Sequence, residues 1–221
     1  ELQLLARQYY QMTSLLIKAK VDFNALCDQV LPGMQELMND HAGRHKLSDF
    51  VLRYHHTTHI LEMGETRFRK DYCKWAEKKG YRNCERMAVL IFATAQNGIP
   101  VLPNAPSTQI VITEAIRVLH TVEASRDAIL TQMQALAKTL LEYSLVREMP
   151  CIGDTLAPRL IAEIGDVRRF HSKRALIAYA GIDAPLYQSG KFSANNRHIS
   201  KRGNRYLRKT GYEVMQSYVM H

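Results

Sequence analysis

Apolar residues recur at three- and four-residue steps along most of this chain. Leu5, Tyr9, Met12, Leu16, Ala19, Phe23, Leu26 and Val30 fall on one face over residues 2–30, which predicts a long amphipathic helix. Leu31-Pro32-Gly33 ends it. Ser48 is placed as the N-cap of a short helix carrying Phe50, Val51, Leu52 and Tyr54. Further helices are expected over 60–79 and 84–96, stopping at Gly80 and at Asn97-Gly98. Three prolines within 99–106 predict an extended linker.

Residues 107–148 contain no Gly or Pro. Ala115, Leu119, Val122, Ile129, Met133, Leu136, Leu140 and Tyr143 follow a heptad-like step interrupted by Arg126. A continuous helix there would span roughly 60 Å. Pairing as a coiled coil and packing as an ordinary bundle helix both satisfy the pattern. Met149-Pro150 stops it, and a new helix is expected from the Ile152-Gly153-Asp154 turn to Ile164, with Gly165 as its C′ residue. Ser172 caps a helix ending near Gly181, and Asn204 starts a last one reaching about Met220. Residues 184–192 have room for a short strand or hairpin. The expected fold class is mainly α: a helical bundle with a long coiled-coil-like helix and a small helix-hairpin-helix-like C-terminal domain. The expected divisions are a helical scaffold over 1–106, the long helix over 107–148 and a basic domain over 149–221.

Charge changes this picture. The 221 residues carry a net charge of +9 and are 46% hydrophobic, enough to bury a core. Residues 150–221 hold twelve Lys/Arg against five Asp/Glu, whereas residues 1–149 hold eighteen against sixteen. Between 184 and 212 there are seven Lys/Arg and no acid: Lys191, Arg197, Lys201, Arg202, Arg205, Arg208 and Lys209, with His198 as a partial charge. Such mutual repulsion is relieved when a polyanion binds, and phosphate is the first candidate. Arg205 and Arg208 would share a helix face, and Lys201 and Arg202 just precede that helix's positive end. Phe192 and Tyr206 either stack on bases or pack in the core. Cys27, Cys73, Cys84 and Cys151 show no metal spacing and fit a reduced, cytoplasmic setting. No apolar run is long enough for a membrane span, and no signal peptide is visible. A first residue, Glu1, already inside a helical pattern and without Met reads as a fragment or processed chain.

Three motifs carry candidate chemistry. Residues 149–165 (MPCIGDTLAPRLIAEIG) resemble a helix-hairpin-helix element, in which a glycine-containing turn presents backbone N–H groups to a DNA phosphate. Gly153 matches one turn glycine, Cys151 stands where the first is usual, and Pro158 falls inside the following helix. Ser189, beside Gly190, is a candidate nucleophile toward a phosphodiester, with nearby arginines to stabilise developing charge. Ser193 and Ser200 share the strip, and the residues alone do not choose among the three. His55, His56 and His59 have only Glu62 near them and do not complete a metal site. No phosphate-cradling glycine loop or acidic quartet for two Mg²⁺ ions is present.

Taken together, MPCIGDTLAPRLIAEIGDVRRF, ALIAYAGI, YQSGKF and HISKRGNRYLR resemble, in order and spacing, the C-terminal transposase domain of the DEDD-type insertion-sequence transposases, the bridge-RNA-guided serine recombinases. The resemblance implies that Ser189 is the nucleophile, forming a transient phosphoserine that conserves bond energy for strand exchange. By the same match Gly190, Lys191, Lys201, Arg202, Gly203 and Arg208 would shape the site or hold backbone. It further implies a bacterial cytoplasmic protein, DNA and guide RNA as partners, and dimers or higher assemblies through the long helix. Mg²⁺ would be bound by carboxylates of a RuvC-like domain preceding Glu1, leaving no cofactor in this piece and making it inactive alone. The rival readings are a non-catalytic helical module for DNA or structured RNA and a piece serving mainly oligomerisation.

Overall fold

The computed structural model describes residues 1–38, 45–82, 84–184 and 198–220 of the 221, together with the backbone of 188–189 and 192–193. The fold is mainly α, as the periodicity requires. Eleven α-helices lie among the described residues, and they form two compact units: Glu1–Thr13 with Ser125–His221, and Ser14–Ala124.

The Ser14–Ala124 unit takes most of helix α1 (Leu2–Val30), then α2 (Met34–Met38), α3 (Lys46–Tyr54), α4 (Thr57–Met63), α5 (Glu65–Lys79), α6 (Cys84–Asn97) and the first part of α7 (Pro106–Lys138). Leu16, Phe23, Cys27 and Val30 of α1 meet Ile112, Ile116 and Leu119 of α7 in one buried cluster. Phe50, Tyr54, Phe68, Tyr72 and Trp75 fill it with edge-on, tilted and stacked ring contacts at 4.8–6.2 Å. Burial pushes the Cys27 thiol up to about 12, so it behaves as a core hydrophobe. The Pro-rich linker is tied to this unit: the Val101 and Leu102 amides donate to the Gln29 carbonyl at 2.8 and 3.1 Å. Pro106 then opens α7, where its missing N–H costs nothing.

Two expectations fail in this unit. The helix expected over 60–79 is two helices, because Gly64 takes φ 72 and ψ 153, a conformation closed to other residues, between α4 and α5. Ser48 is not an N-cap. It lies inside α3, buried, with its hydroxyl donating to the His45 carbonyl and meeting His120 Nε2 at 3.0 Å. Of the three histidines, His55 and His59 lie 6.3 Å apart ring to ring, His59 also bonds the Tyr54 carbonyl, and His56 caps α4 and meets the Leu102 carbonyl at 2.9 Å.

The other unit holds the start of α1, the end of α7, α8 (Glu142–Arg147), α9 (Leu156–Ile164), a 3₁₀ turn (Val167–Arg169), α10 (Lys173–Ala180), a hairpin of β1 (Gln188–Ser189) and β2 (Phe192–Ser193), and α11 (Arg205–Met220). The single helix expected over 107–148 ends at Lys138. Thr139 and Leu140 donate backward to Leu136 and Ala137, the Thr139 hydroxyl takes the Leu136 carbonyl as well, and the chain turns into α8. That turn lets Leu140, Tyr143 and Val146 pack on a core of Leu2, Ala6, Met133, Ala137, Ile161 and Ala162. The next helix starts at Leu156, later than the turn glycine suggests. Both caps of α10 are as expected: Ser172 Oγ accepts from the Ala175 amide at 3.2 Å, and Gly181 is left-handed. Asn204 Oδ1 accepts from the Tyr206 and Leu207 amides at 2.9 and 3.1 Å, and so caps α11.

Candidate nucleic-acid interface

The site is built on a close approach of two glycines. Gly181 ends α10, and the turn at residues 201–204 lies directly on it. A Cβ at Gly203 would sit 2.5 Å from the Gly181 nitrogen and 2.7 Å from the Ala178 carbonyl oxygen, and one at Gly181 would sit 2.6 Å from the Gly203 nitrogen. Only hydrogen fits there. The contact is sealed by main-chain bonds: Ser200 N to Asp183 O at 2.8 Å, Lys201 N to Gly181 O at 3.0 Å and Asn204 N to Tyr179 O at 2.6 Å. Ser200 Oγ donates to Asp183 Oδ1 at 2.5 Å and closes the neck of the segment that carries the β1–β2 hairpin. Lys201 is held at φ 54, a left-handed conformation costing a non-glycine residue about 1–2 kcal/mol.

Below this turn lies a buried polar centre. The Glu163 side chain, 2% exposed, accepts from Arg7 Nε at 3.2 Å, Gln3 Nε2 at 3.3 Å and Asn204 Nδ2 at 2.7 Å. Asn204 Nδ2 also reaches the Tyr179 hydroxyl at 3.2 Å. The Tyr179 phenol is held below the usual tyrosine range, by the Asn204 hydrogen bond foremost and by Arg169 as well. Asn204 thus joins α9, α10 and α11, and Glu163 ties them to the start of α1.

Above it opens a recess of about 450 Å³ lined by Arg7, Tyr179, Arg202, Asn204, Arg205 and Tyr206. Two of its cations and one neighbouring lysine are held on aromatic rings. Arg7 and Arg205 lie over the Tyr206 ring at 5.1 and 4.8 Å, Lys209 over Tyr10 at 4.1 Å, and Tyr10 meets Tyr206 edge-on at 5.2 Å. Lys201, Arg202 and Arg205 are exposed, and among the described residues no carboxylate pairs with them. An open recess with unpaired guanidiniums suits phosphate.

The expected site residues divide between places. Lys201, Arg202 and Arg205 are brought together at or beside the recess. His198 is exposed on the approach to the turn. Arg208 is turned away: its Nη1 donates to the Ala180 carbonyl at 2.9 Å and completes the end of α10, beside an apolar groove of about 430 Å³ between α10 and α11. Ser189 pairs with Phe192 in the hairpin register, and Gln188 with Ser193. Gly190, Lys191 and Arg197 lie outside the described residues. Gly153 is exposed in the turn before α9, its carbonyl accepting from the Leu156 and Ala157 amides, and a Cβ there would meet nothing within 4 Å. The left-handed residue of that turn is Cys151, at φ 64. Arg147 holds the same turn through Asp154 at 2.8 Å and through the Ile152 carbonyl. Arg7, Arg169, Tyr179 and Asn204 were not among the expected site residues, and only Asn204 carried a sequence signal, as a helix start. Among the described residues no three His, Cys, Asp or Glu side chains converge on a metal-holding geometry.

Residues 143–221 match the family model described as transposase, IS116/IS110/IS902 family. The chain is similar to an uncharacterized 43.6 kDa protein of insertion element IS110 from Streptomyces coelicolor, 24% identical over 184 residues. That alignment covers 83% of this chain and 44% of the relative, so the chain spans less than half of that protein's length. No solved structure matches. These findings support a transposase C-terminal domain, and no helix among the described residues is long and apolar enough to cross a membrane.

Proposed function

We propose that this chain is the C-terminal part of an insertion-sequence transposase that grips DNA at the recess beside the 201–204 turn and supplies Ser189 as nucleophile. One observation carries the reading. Lys201, Arg202 and Arg205 are presented without carboxylate partners, on a turn locked by the Gly181–Gly203 contact, inside the segment matched by the transposase model. Ser200 and Asp183, which flank the segment bearing Ser189 in the sequence, are hydrogen-bonded to each other beside that turn, and this supports the reading. In the reaction the Ser189 Oγ–P bond forms as one P–O bond of the phosphodiester breaks. Oγ loses a proton and the departing sugar oxygen gains one. The number of phosphoester bonds is unchanged, so the phosphoserine can pass its strand to a new hydroxyl without an external energy source.

The helix-hairpin-helix reading of the turn before α9 belongs to the same proposal. There Cys151 takes the backbone conformation of the missing glycine, and the turn offers a second, weaker contact to backbone phosphate. Guide RNA, oligomers through α7 and Mg²⁺ chemistry are properties we assign to the longer protein. The test is covalent capture by the full-length protein on its cognate DNA. Ser189→Ala abolishes the protein–DNA adduct and leaves affinity within about 2-fold, because it removes no charge that contacts phosphate. An adduct that persists in Ser189→Ala removes that residue from the role. Binding without any adduct in the unaltered protein favours the non-catalytic module.

A further inference from the structure

A second basic surface lies outside the strip. Residues 168–174 hold Arg168, Arg169, His171, Lys173 and Arg174, all exposed. Arg168 is neutralised by Asp166 at 2.9 Å. Arg169, Lys173 and Arg174 have no carboxylate partner among the described residues. Lys173 and Arg174 occupy the first turn of α10, which contains no acid, the reverse of what the helix dipole favours. Arg169 lies 4.6 Å over both the Phe170 and the Tyr179 rings. Tyr179 also lines the recess that holds Arg202 and Arg205. The two basic surfaces therefore meet at one tyrosine.

We infer that Arg169, Lys173 and Arg174 form a second phosphate-contact site, and that it extends the recess into a track for the sugar–phosphate backbone of a nucleic-acid strand. The inference rests on the nucleic-acid reading above and adds residues and a mode of recognition to it. The track reads backbone rather than bases. The Tyr206 ring already carries Arg7 and Arg205, and the Tyr179 ring already carries Arg169, which leaves less ring surface for base stacking. Stacking also fixes each guanidinium before a phosphate arrives, which lowers the ordering cost of the contact.

The test measures affinity of the 221-residue chain for a labelled duplex by anisotropy across a salt series. Arg169→Gln with Lys173→Gln and Arg174→Gln lowers the magnitude of the slope of log K against log salt by about 2 to 3. Lys173→Gln with Arg174→Gln, which leaves the Tyr179 stack in place, lowers it by about 1.5 to 2. An abasic single strand binds within about 2-fold of the same strand with bases, since stacking would contribute about 1–3 kcal/mol per base. An unchanged slope in both variants, while Arg202→Gln with Arg205→Gln lowers it, overturns the track and leaves the recess standing. No change in any variant overturns both. Capture of the chain by phosphatidylserine vesicles, lost in the same variants, would assign the patch to a lipid surface and also overturn it. A large preference for the strand with bases refutes the backbone mode.

Discussion

Gly203→Ala tests whether the glycine contact organises the interface. The new methyl would overlap the Tyr179 carbonyl and lie 2.5 Å from the Gly181 nitrogen and 2.7 Å from the Ala178 carbonyl oxygen. All three are backbone atoms, so no side chain can swing aside. Either the 201–204 turn lifts from α10 or the end of α10 unwinds. Overpacking of this kind costs about 1–3 kcal/mol, and rigid backbone on every side puts this site at the upper end. Lifting also breaks the Lys201–Gly181 and Asn204–Tyr179 main-chain bonds, each contributing about 0.5–1.5 kcal/mol net. The expected loss is about 4 kcal/mol, roughly 12–20 °C in the melting temperature of a unit this size. The assay can separate the two units because the single tryptophan, Trp75, sits in the Ser14–Ala124 core. Trp75 fluorescence should melt as in the unaltered chain, while far-UV circular dichroism gains an earlier transition. Affinity for duplex DNA should fall with it, because Lys201, Arg202 and Asn204 move together. A control, Gly153→Ala, meets open space and should shift neither signal. A Gly203→Ala chain with an unchanged circular dichroism melt would refute the contact as the organising element.

Two further outcomes are expected. Cys151→Gly removes the left-handed strain at φ 64 and should stabilise its unit by about 0.5–1 kcal/mol, while Cys151→Ala should give no gain; urea midpoints followed by circular dichroism read both. Burial alone would raise the Asp71 carboxyl, but hydrogen bonds from Arg53 and Tyr54, at 2.8 and 2.9 Å, outweigh it and hold the group below the usual carboxylate range. A carboxyl depressed on folding contributes stability in full above its unfolded value of about 3.9, and that stability is lost as pH falls through the folded value. The midpoint reported by Trp75 should therefore drop between pH 5 and 3 by less in Asp71→Asn than in the unaltered chain; equal drops would refute the assignment.

The elements that were legible in the sequence are those with local chemistry at their ends. Ser172, Gly181 and Asn204 act on backbone groups within three residues, so a reading of caps finds them. The missed boundaries have distant causes or silent ones. Nothing in residues 138–142 breaks a helix by propensity; the turn forms because Leu140, Tyr143 and Val146 find Leu2, Ala6 and Ile161. Ser48 looks like a cap until its hydroxyl is seen to meet His120, 72 residues away. Gly64 sits in an otherwise continuous apolar period, and an isolated glycine is compatible with a helix until its φ is known.

The site was legible as charge and illegible as geometry. A run of seven cations without an acid announces an anionic partner, but counting cannot say which of them face it. Arg208 sits in the run and is spent on the Ala180 carbonyl, whereas Arg7 lies far outside it and lines the recess. The physical distinction is how each charge is relieved. A carboxylate partner would cancel the field a phosphate needs, as Asp166 does for Arg168. A tyrosine face steadies a guanidinium by about 0.5–1 kcal/mol while leaving its net charge and most of its donors available. Arg169 and Arg205 are relieved in that second way, and Tyr179 and Tyr206, which hold them, border the same recess. A ring alone does not mark such a charge, since Arg159 lies over Tyr9 and is also paired with Glu213; it is the ring without a carboxylate, as at Arg169 and Arg205, that leaves the field of the guanidinium uncancelled.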